Sequence, residues 1–238
     1  MQHASLLTIE QQRSTTVKTA VAILRPLFQS AGCFRFPRVV FFPNVSSTKL
    51  ILASASPRRA EILRAAGFTF TVMSSAVDET PVPGESAQDL VQRLADAKAE
   101  LVAARAVGPA IVIAADTAVL IDNEILGKPR TTDDARHMLA KLSGHVHDVV
   151  TGVTVIRLPD AERRTFVETT HVRFAQLTPE ELTSYLSTDE PFDKAGAYAI
   201  QGRAARYIPR IEGCYYNVVG LPLARLCHSL TELGWSED

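Results

Sequence analysis

The sequence predicts an α/β protein in which helices flank a mixed β-sheet. Short apolar runs, typical of buried strands, alternate with longer segments whose apolar residues recur at helical spacing. These strands and helices do not follow a strict βαβ order, which favours a mixed sheet over a doubly wound parallel one. Hydrophobic residues make up 46% of the 238 residues, which is enough to bury a substantial core.

The first half of the compact region predicts three strands and two helices. The strands are apolar or β-branched runs, and the helices begin at Pro57, which suits a first helical turn, and at Ser86, which suits an N-cap. In order, we predict a strand over residues 50–53, a helix over 57–66, a strand over 68–73, a loop over 78–85, a helix from 86 to about 106, and a strand over 111–115 that is interrupted at Asp116 and resumes over 118–121.

The second half predicts a turn and a loop, and then a hairpin between two helices. The two long β-rich segments are expected to pair across the polar stretch between them. In order, we predict a turn at 122–123, a loop over 127–130, a helix over 132–142, strands over 147–156 and 165–174, a helix over 178–186 with Pro179 in its first turn, a loop over 193–202, a strand over 207–211 and a final helix within 220–233.

Composition excludes several classes of protein. The formal net charge is −1, so the chain has no basic field for holding a nucleic acid, and an anionic ligand must be met by local positive groups. The three cysteines lie far apart without a CxxC pair, which argues against a disulfide framework or a structural zinc site. No apolar run approaches the ~20 residues of a membrane helix. We therefore expect a cytoplasmic protein that does not enter membranes.

Residues 1–48 differ from the rest of the chain, so we place a domain boundary there and assign residues 49–238 to one domain. Five basic residues and one acid give this segment a net charge of +4. Three interpretations remain open: an organellar transit peptide, a loosely ordered extension, or an initiation codon upstream of the true start.

The known nucleotide-binding loops are missing, but a strand-to-helix junction offers another anion site. The sequence contains no GxxxxGK[ST] and no GxGxxG after a strand. Ser54, Ser56, Arg58 and Arg59 crowd the start of the first helix, where backbone N–H groups favour anions and the side chains add donors. This pattern predicts a phosphate cradle; the alternative is a capped helix followed by a solvated basic turn.

Charged residues also occur where hydrophobic patterning does not require them. Asp116 ends an apolar strand, where a carboxylate is costly without a partner or a metal; the alternative is a capping aspartate at a turn. Lys98 shares a helical stripe with Leu94 and Leu101, and the alternative is that its amine reaches out to water. Lys128, Asp193 and Lys194 lie in loops beside small residues. Together these groups could hold a polyphosphate and a divalent ion.

Nine motifs between Leu50 and Leu233 together resemble the Maf family of nucleotide pyrophosphatases. They occur in the family's order, and their number makes the match specific. They are Ser54-Ala55-Ser56-Pro57-Arg58-Arg59, Asp78-Glu79-Thr80, Ala115-Asp116-Thr117, Gly127-Lys128-Pro129, Ser143-Gly144 with His147, Thr151-Gly152-Val153, Asp193-Lys194-Ala195-Gly196-Ala197-Tyr198, Gln201-Gly202 and Val219-Gly220-Leu221-Pro222.

The resemblance implies a fold, a reaction and a cofactor. The fold would be of the Maf and ITPase-like class, with two lobes around a central cleft, and the protein would be a homodimer. The reaction would cleave nucleoside triphosphates between the α- and β-phosphates with Mg²⁺ or Mn²⁺. Asp116 falls on the family's proton acceptor, and Arg58, Thr117 and Gln201 fall on positions linked to substrate in the branch that prefers dTTP and UTP. A sister branch acting on 7-methyl-GTP typically has Trp where Arg58 stands.

Applied to these residues, the resemblance implies a mechanism. Glu79 and Asp116 would gather the metal, and a water held by the metal or by Asp116 would attack the α-phosphorus. The charge of the departing pyrophosphate would be neutralised by Arg58, Lys98, Lys128 and Lys194, and Gln201 would contact a pyrimidine edge. Two alternatives stay open: a pyrophosphatase for other non-standard nucleotides of the 7-methyl-GTP or inosine type, and a non-catalytic, division-regulating nucleotide binder.

Overall fold

A computed structural model of the chain describes residues 48–236, and the predicted extension over residues 1–48 lies outside that range except for Thr48. The described part contains seven strands and six α-helices. They are β1 (Lys49–Leu52), α1 (Pro57–Ala65), β2 (Phe70–Val72), α2 (Ala87–Ala103), β3 (Ala110–Ile121), β4 (Glu124–Leu126), α3 (Thr132–Leu142), β5 (Val146–Leu158), β6 (Glu162–Arg173), α4 (Pro179–Leu186), β7 (Arg210–Glu212), α5 (Tyr215–Val219) and α6 (Leu223–Glu232).

All seven strands form one mixed sheet, which confirms the predicted fold class. Its order is β2-β1-β3-β5-β6-β7, with β4 paired to β3 off this path. β1 runs parallel to β2 and β3, whereas the other pairs are antiparallel. The predicted hairpin is present, and its strands β5 and β6 pair over their whole length, from Val146↔Arg173 to Arg157↔Glu162.

Side-chain alternation along β1 and β3 feeds separate cores. Leu50 and Leu52 belong to a cluster with α1 and α6, whereas Ile51 and Ala53 face a cluster with α2. The far half of β3, with Val119 and Ile121, belongs to a third cluster formed with α3 and α4. Strand β3 therefore joins the core around α1 and α6 to the core around α3 and α4.

Some predicted elements differ from the structure. Strand β3 is not interrupted at Asp116, because Asp116 pairs with Gly152 of β5 and the ladder continues to Leu120. The buried stripe of α2 contains Val102, whereas Leu101 is only half-buried. The short elements β4 and α5 were not predicted: β4 has three residues and α5 has five, too few to display a hydrophobic period.

Helix α2 lies directly against the backbone of β5 because residue 152 is a glycine. A Cβ atom at Gly152 would come within 2.5 Å of the Val91 carbonyl oxygen and 2.7 Å of the Gln92 nitrogen. These are backbone atoms, which cannot rotate away as a side chain can. Gly152 thus sets the spacing between α2 and the strand that pairs with Asp116.

Candidate active site

One pocket of about 660 Å³ brings together every residue that the sequence analysis selected. It opens between the core around α1 and α6 and the core around α3 and α4, in agreement with a cleft between two lobes. A volume of this order accommodates a small organic ligand such as a nucleotide. The selected residues lining it are Ser54, Ser56, Arg58, Arg59, Glu79, Lys98, Asp116, Thr117, Lys128, Asp193, Lys194 and Gln201.

Lys98 holds the two predicted metal ligands together. Its Nζ donates to Glu79 Oε1 and to Asp116 Oδ1, each at 2.6 Å. The lysine side chain is 9% exposed and that of Asp116 is 15% exposed, whereas Glu79 is 55% exposed. Lys98 therefore points inward, and the alternative in which its amine reaches open water is wrong. Its charge is directed at two carboxylates.

The acidic pair lies in a positive environment. Burial by itself raises the pKa of Glu79, but the hydrogen bond from Lys98 and the charges of Lys98, Lys128 and Arg59 outweigh it and lower that pKa below its ordinary value. Glu79 is thus kept ionised. Asp116 Oδ1 accepts from Lys98, and no hydrogen bond to Oδ2 is formed within residues 48–236, so this oxygen can accept from a ligand or a water.

Arg59 lines the pocket and also forms an internal brace. Its Nε donates to the Gly220 carbonyl at 2.8 Å, Nη1 to Ser54 Oγ at 3.1 Å and Nη2 to Thr117 Oγ1 at 3.0 Å. The residue is buried, and this desolvation lowers the pKa of its guanidinium despite the nearby Asp116. Three of its five N–H donors are therefore committed to the protein, so Arg59 braces this part of the pocket, and its contact with phosphate stays a prediction.

Helical spacing distinguishes the two adjacent arginines. Arg59 lies three and four residues before Ile62 and Leu63, and all three are buried on one face of α1. Arg58 is off that face; its side chain is 30% exposed and its Nη1 lies 3.2 Å from Asp193 Oδ2. The sequence already contained this spacing, although both Arg58 and Arg59 were predicted to bind the substrate.

The strand-to-helix junction keeps a hydroxyl proton available. Ser54 Oγ accepts from Arg59 Nη1 and from the Ser56 backbone N–H at 3.2 Å. Since both bonds are accepted, the Ser54 O–H hydrogen remains free to be donated. Ser56 provides the N-cap position of α1 without a side-chain cap bond, so its hydroxyl is not used by the helix. The junction thus presents donors towards the pocket, as a phosphate cradle requires.

The pocket wall formed by the loops after β4 and α4 contains two lysines, which differ in exposure and in hydrogen bonding. Lys194 is 14% exposed, and its Nζ donates to the Glu190 carbonyl at 2.9 Å and contacts the carboxylate of Asp193. Lys128 is exposed and forms no ion pair with another residue in the described range, so its charge is available to a ligand. Gln201 is likewise exposed on this wall.

Sequence reasoning missed a buried polar network behind Thr117. Thr117 Oγ1 lies 2.9 Å from Thr151 Oγ1, which in turn donates to the Asn217 carbonyl at 3.3 Å. Asn217 is fully buried and donates through Nδ2 to the Val149 carbonyl and to Thr170 Oγ1. Asn217 showed no sequence signal, because its position in the short helix α5 follows no detectable period.

A second missed feature is the aromatic support beneath the pocket. Tyr198 lines the pocket, and its hydroxyl lies 2.8 Å from Nε2 of the buried His147. Phe174 packs edge-on against Tyr198, with ring centroids 5.1 Å apart. Burial lowers the pKa of His147 to about 4, so the ring is neutral at physiological pH. His147 therefore acts in packing, as expected for a core histidine.

Glu79 and Asp116 suit a divalent cation through the chemistry of their donors. Both present a carboxylate oxygen to one cationic nitrogen, and carboxylate oxygens are the ligands that Mg²⁺ and Mn²⁺ prefer. No group of three or more His, Cys, Asp and Glu residues suited to a metal occurs within residues 48–236. Magnesium is commonly held by one or two carboxylates with substrate phosphates completing the shell. The residues thus fit a cation shared with the substrate.

Comparisons with known proteins show what the chain is similar to. Residues 49–233 match the family model described as Maf-like protein. The chain is 48% identical over 187 residues to a dTTP/UTP pyrophosphatase of Carboxydothermus hydrogenoformans, covering 79% of this chain and 100% of that protein. It is 51% identical over 187 residues to a dTTP/UTP pyrophosphatase of Symbiobacterium thermophilum, covering 79% and 95%.

No described helix has the length and apolar character that crossing a membrane requires.

Proposed function

The chain belongs to the Maf-like family, and from this membership and its pocket we propose that it hydrolyses dTTP and UTP to the monophosphate and pyrophosphate. The carrying observation is the convergence of Asp116, Glu79 and five cationic side chains on one pocket. Relatives about half identical to this chain bear the name dTTP/UTP pyrophosphatase, which supports the choice of substrate.

Asp116 acts as the general base in this proposal. Oδ1 is held by Lys98, which fixes the side chain, while Oδ2 is free to accept a proton from water. The water would attack the α-phosphorus, and the α,β-bridging oxygen would leave with pyrophosphate. A positioned base typically contributes ~10²–10⁴-fold to such a step.

Three cations would meet the growing charge on pyrophosphate in this proposal. Lys128 is exposed and unpaired among the described residues, and Arg58 and Lys194 each share Asp193. An incoming triphosphate would compete with Asp193 for both. Lys98 belongs with the acids instead, because its ammonium is committed to Glu79 and Asp116.

Glu79 and Asp116 would hold a divalent cation, Mg²⁺ or Mn²⁺, together with the phosphates. When bound, it supplies positive charge next to the phosphate oxygens. Gln201 would contact the pyrimidine, since an amide can both donate and accept. We further propose a homodimer, which the family resemblance implies, and a cytoplasmic location, which rests on the composition of the sequence. Size-exclusion chromatography with light scattering tests the dimer.

A nucleotide panel tests the proposal. Purified protein with Mg²⁺ should release pyrophosphate from dTTP and UTP with a higher kcat/KM than from ATP, inosine triphosphate or 7-methyl-GTP, and EDTA should abolish the release. Chromatography should identify dTMP or UMP as the nucleotide product. Formation of UDP and inorganic phosphate, or preference for a purine, would contradict it.

A further inference from the structure

Glu190 lies outside the pocket lining but binds the segment that follows Gln201. Its Oε2 accepts from the Arg203 backbone N–H at 2.8 Å and its Oε1 from the Ala204 backbone N–H at 3.3 Å. Oε1 also accepts from the buried Tyr185 hydroxyl at 2.9 Å, which ties the carboxylate to α4. One charged side chain thus links a packed helix to two consecutive amides of a pocket loop.

Gly202 is explained by the same carboxylate. A Cβ atom at residue 202 would overlap the Glu190 carboxylate oxygens and its Cδ. The backbone of Gly202, at φ −106° and ψ −153°, is extended and imposes no need for glycine. The absence of a side chain beside Gln201 therefore makes room for Glu190.

The main chain of Glu190 reaches the second pocket segment. Its carbonyl oxygen accepts from Lys194 Nζ at 2.9 Å, which holds that ammonium on the pocket wall. The side chain and the carbonyl of one residue therefore restrain both the segment carrying Lys194 and the segment carrying Gln201.

We propose that Glu190 is a positioning residue that fixes the Gln201 loop for nucleotide binding, which rests on the function proposed above. Its carboxylate does not touch the substrate. It holds the amides of residues 203 and 204, and thereby the backbone on which the Gln201 side chain is mounted. A charged acceptor binding backbone N–H groups gives the stronger kind of hydrogen bond.

Steady-state kinetics with UTP test the proposal. Glu190→Ala should raise KM roughly 10-fold and change kcat by less than about threefold, because preformed binding geometry is lost while Asp116 is untouched. Glu190→Gln keeps one acceptor oxygen but turns an amide towards the Arg203 N–H, so its KM should be intermediate. A Glu190→Ala enzyme with the wild-type KM would overturn the proposal.

A double-mutant cycle tests the link to Gly202. Gly202→Ala should raise KM by itself through its overlap with the carboxylate. In the Glu190→Ala background that overlap is gone, so the double variant should have a KM close to that of Glu190→Ala alone. If KM of the double variant instead rose by the product of the two single-variant factors, the assigned contact between Glu190 and residue 202 would be contradicted.

Thr178→Ala is the matched control for lost stability. Thr178 caps α4, the helix whose Tyr185 binds Glu190, through a capping box with Glu181. Thr178 does not line the pocket. Removing the cap should lower Tm while leaving KM unchanged. If it raises KM as much as Glu190→Ala does, the effect of Glu190 is a general loosening and the proposal is wrong.

Hydrogen exchange keeps this test separate from that of the enzyme's function. The amides of Arg203 and Ala204 should exchange faster in Glu190→Ala than in the wild type, whatever the enzyme hydrolyses. Unchanged exchange would refute the positioning role, whereas a wild-type protein that releases no pyrophosphate from UTP would refute the proposed function only.

Discussion

The ammonium nitrogen of Lys98 lies 2.6 Å from Oδ1 of Asp116, and most of both side chains is buried. This pairing gives the acid a fixed orientation and a compensating charge before any ligand arrives. It also explains how a carboxylate is tolerated within a continuous strand of the sheet, at a position where an unpaired charge would be strongly destabilising.

Replacing the acid tests its role in the chemistry. Asp116→Asn preserves shape and an oxygen that can accept from Lys98, so we expect a folded protein with a Tm close to that of the wild type. Loss of the general base should lower kcat by about 10²–10⁴-fold. Pyrophosphate release under saturating UTP measures this, and a folded variant that turns over at the wild-type rate would exclude Asp116 as the base.

Removing the lysine tests the proposed cation site. Lys98→Met leaves Glu79 and Asp116 without their shared counter-charge. In the absence of metal, this loss should lower the free energy of unfolding by roughly 1–3 kcal/mol. Added Mg²⁺ should then raise Tm more in this variant than in the wild type, since it binds the native acidic pair. Thermal denaturation with and without Mg²⁺ provides the measurement.

Arg136→Met is the control for that experiment, because Arg136 lies on helix α3 and does not line the pocket. It removes an exposed charge that forms no ion pair among the described residues, so Tm and its response to Mg²⁺ should stay close to wild type. An equal response in the two methionine variants would show that the acidic pair does not bind the metal.

The neighbouring arginines should give opposite phenotypes. Arg59→Met removes three buried hydrogen bonds and leaves their acceptors unpaired, which should cost about 2–4 kcal/mol of unfolding free energy. Arg58→Ala breaks one partly exposed ion pair, worth about 0–1 kcal/mol, and should mainly raise KM for the nucleotide. Urea denaturation and steady-state kinetics on both variants distinguish them; a strongly destabilised Arg58→Ala would contradict this division.

Buried His147 should make stability depend on pH. Burial lowers its pKa in the folded state to about 4, against an ordinary value of 6.5. The unfolded chain therefore binds more protons between these values, so stability is complete above pH 6.5 and falls as pH drops towards 4. The full loss is on the order of 3 kcal/mol.

A variant that cannot titrate tests this dependence. His147→Phe keeps a ring but removes the proton site, so the fall in unfolding free energy between pH 6.5 and pH 4.5 should be smaller than in the wild type. The relevant quantity is the slope of the unfolding free energy against pH. Absolute stabilities are not comparable, because the variant also loses the Tyr198 hydrogen bond and begins from a lower stability. Identical slopes would exclude His147 as the source.

The sequence predicted those parts of the site that follow from local spacing. Lys98 was placed on the inner face of α2 because Leu94 lies four residues before it, and the structure confirms that orientation. The strand-to-helix junction at Ser54 likewise followed from an apolar run that ends at Ala53 and from Pro57, which suits a first helical turn. The predictions failed where the outcome depends on distant residues: strand β3 continues past Asp116 only because β5 supplies the partner at Gly152.

Long-range support could not be predicted for the same reason. Arg59 bonds to Gly220, 161 residues away, and Thr151 bonds to Asn217, 66 residues away. Glu190 is an ordinary acid in a polar loop until the fold brings Arg203 to it. Roles of this kind depend on closing the chain into one pocket, which a single sequence does not display.

The distance between Asp116 and Lys98 depends on the absence of a Cβ atom at a third residue, Gly152. Because Gly152 lacks a side chain, α2 packs directly against the backbone of β5. The position of Lys98 depends on that packing, since Lys98 belongs to α2. One extra methyl group there would push the helix outward and lengthen the ammonium-to-carboxylate distance although neither charged residue had changed. A design that moves Lys98 and Asp116 to another α/β scaffold would therefore not reproduce their pairing unless it also kept a glycine in the strand beneath the helix.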